Sequence, residues 1–393
     1  MKILNINKYY YIKGGAERYY FALTELLMEH GHQVIPFSQK HDNNMVTAYA
    51  DYFPETKYRF FSSPAVAAKL EQLIKKEQPD IAHVHLLYHH LTPAVLTVLK
   101  RYRIPVVMTV HDYKLICPNY LLFTQGKPCI RCKRYNYYQC VIHRCIKNSY
   151  AKSSLVALEM YWHKFWKSYE NNINVFIVPS EFVKNKLIEF GLPANKIKQI
   201  AHFIDLNNKQ PVYQPGEYLL YFGRLSAEKG VDKILEVLYN SALRIKFKIA
   251  GNGPYLPVLQ KLVKQYSLQN QVEFLGHLDT NQLQQAIQQA RLTIVPSMVW
   301  ETFGLAALES FAYGKTALVS GQGGLAEVVI HNQTGIIYQP SQLAEELNNI
   351  WVDEKKIISL GKNARLYVEK NYNKQQHYEK VMSVYHALLR VNS

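Results

Sequence analysis

The chain has 393 residues, 48% of them hydrophobic and 19% charged, which is too long for one ordinary core and too apolar for a disordered polymer. Its formal charge is +16, from 46 basic against 30 acidic residues, and residues 101–150 alone hold nine Lys or Arg against one Asp. That asymmetry concerns partners rather than fold: anionic lipid, nucleic acid and phosphorylated substrates all stay open. No apolar run is long enough to span a bilayer, and the opening MKILNINKYY turns polar too early for a secretory signal. The expected location is the cytosol, with peripheral contact at the inner face of the cell membrane as its extension.

In chain order, ILNI reads as a short buried strand, followed by the loop KGGAER and a helical pattern from about Ala16 to His30 that Gly31 stops. QVIPFS, PDIAHVH and IPVVMTVHD read as further strands, with helical stretches AVAAKLEQLIKKE and TPAVLTVLKRY between them. NVFIVPS is another strand, and SEFVKNKLIEF a helix capped by Ser180. The stretch FIDLNNKQPVYQPGEY breaks the alternation, and Pro211, Pro215 and Gly216 mark it as a linker. A second alternation follows, with YLLYFG, RIKFKIAG, VEFLG, LTIVPS and TALVS as strands and helices between. The last stretch, about Asn371 to Arg390, is helical. Strand–helix alternation predicts parallel sheets covered on both faces, hence an α/β chain of two Rossmann-like domains, about 1–205 and 206–371, with a terminal helix at about 372–393. Ligands of such sheets bind beyond the carboxyl ends of the strands, so two facing domains would enclose a cleft.

The strand ends carry the candidate chemistry. Gly14 and Gly15 after the first strand would let a backbone approach a phosphate, although a glycine pair is also an ordinary turn. The pattern is not the GxGxxG of nicotinamide enzymes, which disfavours a dehydrogenase. In YFGRLSAEKGVD, Gly223, Arg224 and Lys229 follow a buried strand, and the two cations would suit a nucleoside diphosphate. IAGNGP adds Gly251 at a neighbouring strand end. In VWETFGLAALES, Thr302, Phe303 and Gly304 read as a helix start, with backbone N–H groups from Phe303 to Leu305 free for an anion. Glu301 just ahead of that helix would accept hydrogen bonds from sugar hydroxyls. Glu309, in a stretch apolar nearly all round between Ala306-Ala307-Leu308 and Phe311-Ala312, is expected to be buried and to hold a second set of hydroxyls such as a ribose. His111, with Asp112, ends the strand IPVVMTV and would hydrogen-bond a sugar, whereas His83 and His85 read equally well as core histidines.

Taken together, GGAE at 14–17, HD at 111–112, FGRLSAEKG at 222–230, AGNGP at 250–254, the E-x7-E pair Glu301/Glu309 and GGLAEVV at 323–329 resemble a retaining glycosyltransferase of family 4 with the GT-B architecture. The resemblance spans nearly the whole chain. It implies a nucleotide-sugar donor of UDP or GDP type and a saccharide or lipid-linked acceptor, in polysaccharide or glycoconjugate synthesis. Arg224 and Lys229 would neutralise the leaving diphosphate. Glu301 would hold the donor sugar, and Glu309 the ribose. His111 would touch the sugar, backbone at Gly15 and 303–305 would contact sugar or phosphate, and backbone around His277 and Leu278 would flank the base. The resemblance implies no catalytic metal, and no strand end carries an Asp-x-Asp pair.

Two features fall outside that pattern. Cys129-x2-Cys132-x7-Cys140-x4-Cys145, in an insert at about 117–145, has nearly the spacing of a structural zinc site, with Cys117 and His143 as substitutes, and buried free thiols are the alternative. YWHKFWKSYE at 161–170 interleaves Lys with aromatics, which suits a membrane interface, stacking on single-stranded nucleic acid, or core packing with outward lysines. Two competing functions remain at this level. One is a nucleotide-sugar epimerase of the same fold. The other is a nucleic-acid-binding protein, which charge alone suggests and no binding motif supports.

Overall fold

The computed structural model describes residues 1–12, 14–39, 64–88, 91–241 and 244–392. Lys13, which opens the first predicted loop, lies outside them. The chain divides into two compact units, one of residues 1–124, 129–201 and 374–393, the other of 125–128 and 202–373.

The first unit runs β1 (Lys2–Tyr9), α1 (Gly15–Glu29), β2 (Gln33–Gln39), α2 (Pro64–Glu77), β3 (Ile81–Val84), α3 (Ala94–Arg101) and β4 (Val106–Thr109). A short hairpin follows, β5 (Phe123–Thr124) and β6 (Lys127–Pro128), then α4 (Tyr138–Ile142), α5 (Tyr150–Phe165), β7 (Val175–Val178), α6 (Glu181–Glu189) and β8 (Ile197–Gln199). Its sheet is ordered β2-β1-β3-β4-β7-β8 and parallel throughout, with Ile3 opposite both Val34 and Ile81. β1, β3, β4 and β7 are buried almost end to end, which is why they read as continuous apolar runs. Gly31 ends α1 with φ +78°, and the Ser180 hydroxyl accepts the Val183 N–H to cap α6.

The second unit continues with β9 (Tyr218–Phe222), α7 (Val231–Asn240), β10 (Lys246–Ala250), α8 (Leu256–Gln265), β11 (Val272–Gly276), α9 (Thr280–Gln288), β12 (Leu292–Val295) and α10 (Leu305–Ala312). It closes with β13 (Ala317–Ser320), α11 (Leu325–Val328), β14 (Gly335–Tyr338), α12 (Leu343–Val352) and α13 (Glu354–Asn371). The order β11-β10-β9-β12-β13-β14 is again all parallel. Its core joins Leu219, Phe247, Ile249, Leu292 and Leu318 of the sheet to Leu235, Leu259 and Leu347 of the helices. α14 (Lys374–Asn392) belongs to the first unit, where His377 Nδ1 donates to the Ala201 carbonyl at 2.8 Å. Among the described residues no helix is long and apolar enough to cross a membrane.

In each sheet the strand order reverses once. In the first unit the reversal lies between β1 and β3, in the second between β9 and β12. These are the points where loops diverge and leave room for a ligand.

Candidate active site

At the second unit's reversal point, Lys229 follows β9 and Glu301 follows β12, and their side chains meet. Lys229 Nζ donates to Glu301 Oε1 at 2.6 Å, and the same oxygen accepts from Ser297 Oγ. Both groups stay partly open, at 28% and 19% side-chain exposure. One carboxylate oxygen is thus clasped from two sides, while Oε2 has no partner among the described residues and can accept a hydroxyl. The ammonium keeps two further donors for an anion. Ser297 was not anticipated; its signal is the strand ending VPS, which sets a hydroxyl one turn before the carboxylate.

The loops that carry these groups are stitched together through backbone. Met298 N–H donates to the Glu228 carbonyl at 2.9 Å, and Ser320 Oγ to the Ser297 carbonyl at 2.6 Å. Gly324 N–H donates to the Glu301 carbonyl at 2.8 Å. Gly323, at φ +67°, sits so close that a Cβ there would lie 2.5 Å from that carbonyl oxygen. The GGLAEVV motif therefore fixes the backbone from which Glu301 projects. Gly251, at φ +134°, likewise has the Gly223 carbonyl 1.9 Å from where a Cβ would sit, so β9 and β10 can end together only with glycine there. Gly251 N–H in turn donates to the Gly276 carbonyl, 2.6 Å away, just before His277. His277 is exposed, and Leu278 packs beside Phe222 and Tyr218.

Two expectations need correction. The helix after Glu301 starts at Leu305, not Thr302, with Gly304 as its N-cap. The first-turn N–H groups belong to Leu305, Ala306 and Ala307, while Phe303 is buried against His202 and Tyr372, at ring distances of 5.1 and 5.9 Å. Glu309 is half-buried rather than buried: Ala307, Leu308, Ser310, Phe311 and Ala312 face the core, whereas Leu305, Ala306 and Glu309 share the more open face. The large apolar neighbours Leu308 and Phe311 turn to the core, so composition overstated how deeply the face of Glu309 is covered. Arg224 is exposed, and no side-chain hydrogen bond or ion pair engages it among the described residues.

The remaining sequence candidates lie in the first unit. Gly14 and Gly15 are exposed at the start of α1, next to that unit's reversal point. His111 caps a relay that the sequence did not reveal, because parallel pairing of β3 with β4 brings distant histidines into one row. Asn5 Nδ2 donates to Thr24 Oγ1, which itself donates to the Tyr20 carbonyl. Asn5 Oδ1 therefore accepts from His85 Nε2 at 3.0 Å, and His85 Nδ1 lies within hydrogen-bond reach of His111 Nε2, at 2.9 Å. Beside it, His83 spans Tyr385 of α14 and Thr109, and His377 Nε2 meets the Tyr19 hydroxyl at 3.0 Å.

Burial pushes His83 and His111 down to about 3 and His377 to about 4, against an ordinary 6.5. These rings take protons only after unfolding, so the stability they contribute is complete above pH 6.5 and lost as pH falls toward those values. Urea midpoints are expected to drop steeply between about pH 6.5 and 4, each buried histidine costing about 1.4 kcal/mol per pH unit. In His83→Gln the slope should shrink by about one proton; an unchanged slope would contradict the assignment.

Comparison with known proteins agrees with this geometry. The model for Glycosyltransferase Family 4 matches residues 13–208, and that for Glycosyl transferases group 1 matches residues 203–367. An uncharacterized glycosyltransferase of Methanocaldococcus jannaschii is 24% identical over 378 residues, 94% of either chain. The phosphatidylinositol N-acetylglucosaminyltransferase gpi3 subunit of Schizosaccharomyces pombe is 23% identical over 361 residues, 86% of this chain and 70% of that one. The Anabaena protein HepE, crystallised in complex with UDP and glucose, superposes with a TM-score of 0.69 at 18% identity, over 98% of this chain and 100% of that one. With two all-parallel α/β units of this topology, the chain belongs to glycosyltransferase family 4, has the GT-B fold, and is a glycosyltransferase.

Proposed function

We propose that the protein is a retaining, metal-independent hexosyltransferase that moves a sugar from a nucleoside-diphosphate donor to a saccharide or lipid-linked acceptor in surface polysaccharide or glycoconjugate synthesis. The observation that carries the donor half is the Lys229–Glu301 pair at the reversal point of the second sheet. The exposed Arg224 guanidinium stands on the same loop as Lys229, and the α10 N-terminus starts four residues after Glu301. Two cations and a helix start give a diphosphate its counter-charge without a divalent ion. Glu301 Oε2 accepts a sugar hydroxyl, and Glu309, on the open face of α10, accepts from the ribose. As the donor bond lengthens, charge grows on the departing phosphate and meets preorganised donors. The acceptor attacks from the side the phosphate leaves, and a phosphate oxygen takes its proton. HepE, with its UDP and glucose, favours UDP as the base carrier. The experiment is a donor-hydrolysis and transfer panel over UDP-, GDP- and ADP-sugars. Donor turnover that needs no acceptor and yields an isomerised nucleotide-sugar would favour an epimerase instead.

The acceptor half rests on α5. This helix buries Val156, Ala157 and Met160 on one face, yet exposes Leu155, Leu158, Trp162 and Phe165 on the other, with Phe165 79% exposed and Trp166 just beyond. Exposed Lys152 and Lys167 stand at its two ends. An apolar ridge edged by lysines suits the interface of an anionic membrane, where a lipid-linked acceptor resides at the cytoplasmic face. The fission-yeast relative named for phosphatidylinositol points to the same acceptor class. The protein is expected to co-sediment with vesicles of phosphatidylglycerol far more than of phosphatidylcholine. Trp162→Ser/Phe165→Ser should lose that binding while keeping donor hydrolysis. Equal binding by the double variant would remove the membrane from the account.

A further inference from the structure

The five cysteines converge, although they come from four separate short pieces of chain. Cys117, Cys129, Cys132, Cys140 and Cys145 line one small pocket together with Thr124. All five are free thiols, and Cys117, Cys132 and Cys140 are buried. Cys132 and Cys140 belong to a small satellite cluster with Tyr137, Ala157 and Met160, the last two on the buried face of α5. The surrounding segment is irregular. Its one α-helix, α4, has five residues, and eight non-glycine residues between 120 and 148 hold positive φ: Tyr120, Leu122, Gln125, Arg134, Tyr135, Arg144, Lys147 and Asn148. Each is a conformation that a Cβ disfavours, so the segment needs a constraint that its few apolar contacts do not supply.

The thiols are not equivalent. Cys117 donates to Asn119 Oδ1 at 2.9 Å, which satisfies its proton, and burial pushes it up to about 12. Cys145 Sγ donates to the Thr124 hydroxyl at 3.6 Å. Arg131, Lys133, Arg134, Arg144 and Lys147 supply positive charge along the same segment. A tetrathiolate around a divalent ion carries a net double negative charge, and this setting balances it. Among the described residues no group of three or more His, Cys, Asp or Glu is arranged to ligate as it stands, so a bound ion would have to draw the sulfurs of this pocket together.

We propose that Cys129, Cys132, Cys140 and Cys145 form a tetrathiolate zinc site that fixes the irregular segment beneath α5, with Cys117 outside the ligand set. Four S–Zn bonds form as the thiol protons leave to solvent, and no oxidation state changes. The site is independent of the donor chemistry and predicts a structural, not catalytic, loss. The test is elemental analysis of the full chain after dialysis against a mild chelator, with stepwise displacement by a mercurial and dye detection of released metal. The expected result is about one zinc per chain, released as thiols are titrated, and kept in Cys117→Ser but lost in Cys132→Ser and Cys140→Ser. Stripping the zinc should also raise protease cleavage within 113–149 while donor hydrolysis persists. Metal-free native protein with all five thiols reactive, a disulfide among them, or undiminished zinc in Cys132→Ser would overturn the proposal. If the serine variants do not fold, mercurial release from the unaltered chain decides alone.

Discussion

Lys229→Ala is expected to lower kcat by about 10²–10³, the usual cost of removing one preorganised donor to a developing oxyanion, or about 3–4 kcal/mol of barrier. Nucleoside-diphosphate affinity should fall far less, because the phosphate charge that Lys229 meets is greatest in the transition state. Glu301→Gln separates the partners further. It keeps the shape and a hydrogen-bonding oxygen but removes the charge that now occupies Lys229 at 2.6 Å. The freed ammonium should hold diphosphate as well as before or better, while turnover drops by about 10² for want of a charged sugar acceptor. Steady-state kinetics with saturating donor, beside calorimetric titration of the diphosphate, reads both effects. Near-full turnover in either variant would remove the pair from the chemistry.

Glu159→Ala is expected to cost about 3–5 kcal/mol of stability, the largest single loss in the first unit. Glu159 projects from the buried face of α5 and meets Lys114 at 2.8 Å, with 1% and 5% side-chain exposure. Removing the carboxylate strands an ammonium in the interior, and a domain of this kind is typically stable by only about 5–15 kcal/mol. Lys114 also anchors the loop after β4, since its N–H donates to Asp112 Oδ1 at 2.9 Å, next to His111. The double change Lys114→Met/Glu159→Leu should recover most of the loss, because it removes both charges together. Urea unfolding of the single and double variants is the measurement. A Glu159→Ala midpoint equal to that of the unaltered chain would show that the pair is solvated and weak.

Much of the architecture was legible because parallel strands covered on both faces read as unbroken apolar runs. IPVVMTV and LTIV became β4 and β12, and the charged loops after YLLYF and LTIV are where Lys229 and Glu301 stand. What escaped notice follows from geometry that spacing cannot carry. β8 and β14 are three- and four-residue edge strands, IKQ and GIIY, too short to show a period. The Asn5–His85–His111 row depends on register between β1, β3 and β4, so residues 80 and 26 positions apart became neighbours. Ser297 clasps Glu301 only because its loop curls back. The apolar surroundings of Glu309 point to burial, yet Leu308 and Phe311 turn to the core and leave it on the more open face. α5 is apolar on opposite faces, and periodicity alone could not say which face the core would take.

The account stands on one claim, that the strand ends of the second unit grip a nucleoside diphosphate. A crystal structure of the protein with UDP bound tests it most directly. The diphosphate oxygens should lie about 2.7–3.1 Å from Lys229 Nζ, with the Arg224 guanidinium and the first-turn N–H groups of α10 completing the shell and the ribose hydroxyls on Glu309. UDP seated away from Lys229 and Leu305, with the Lys229–Glu301 pair undisturbed and facing solvent, would contradict it.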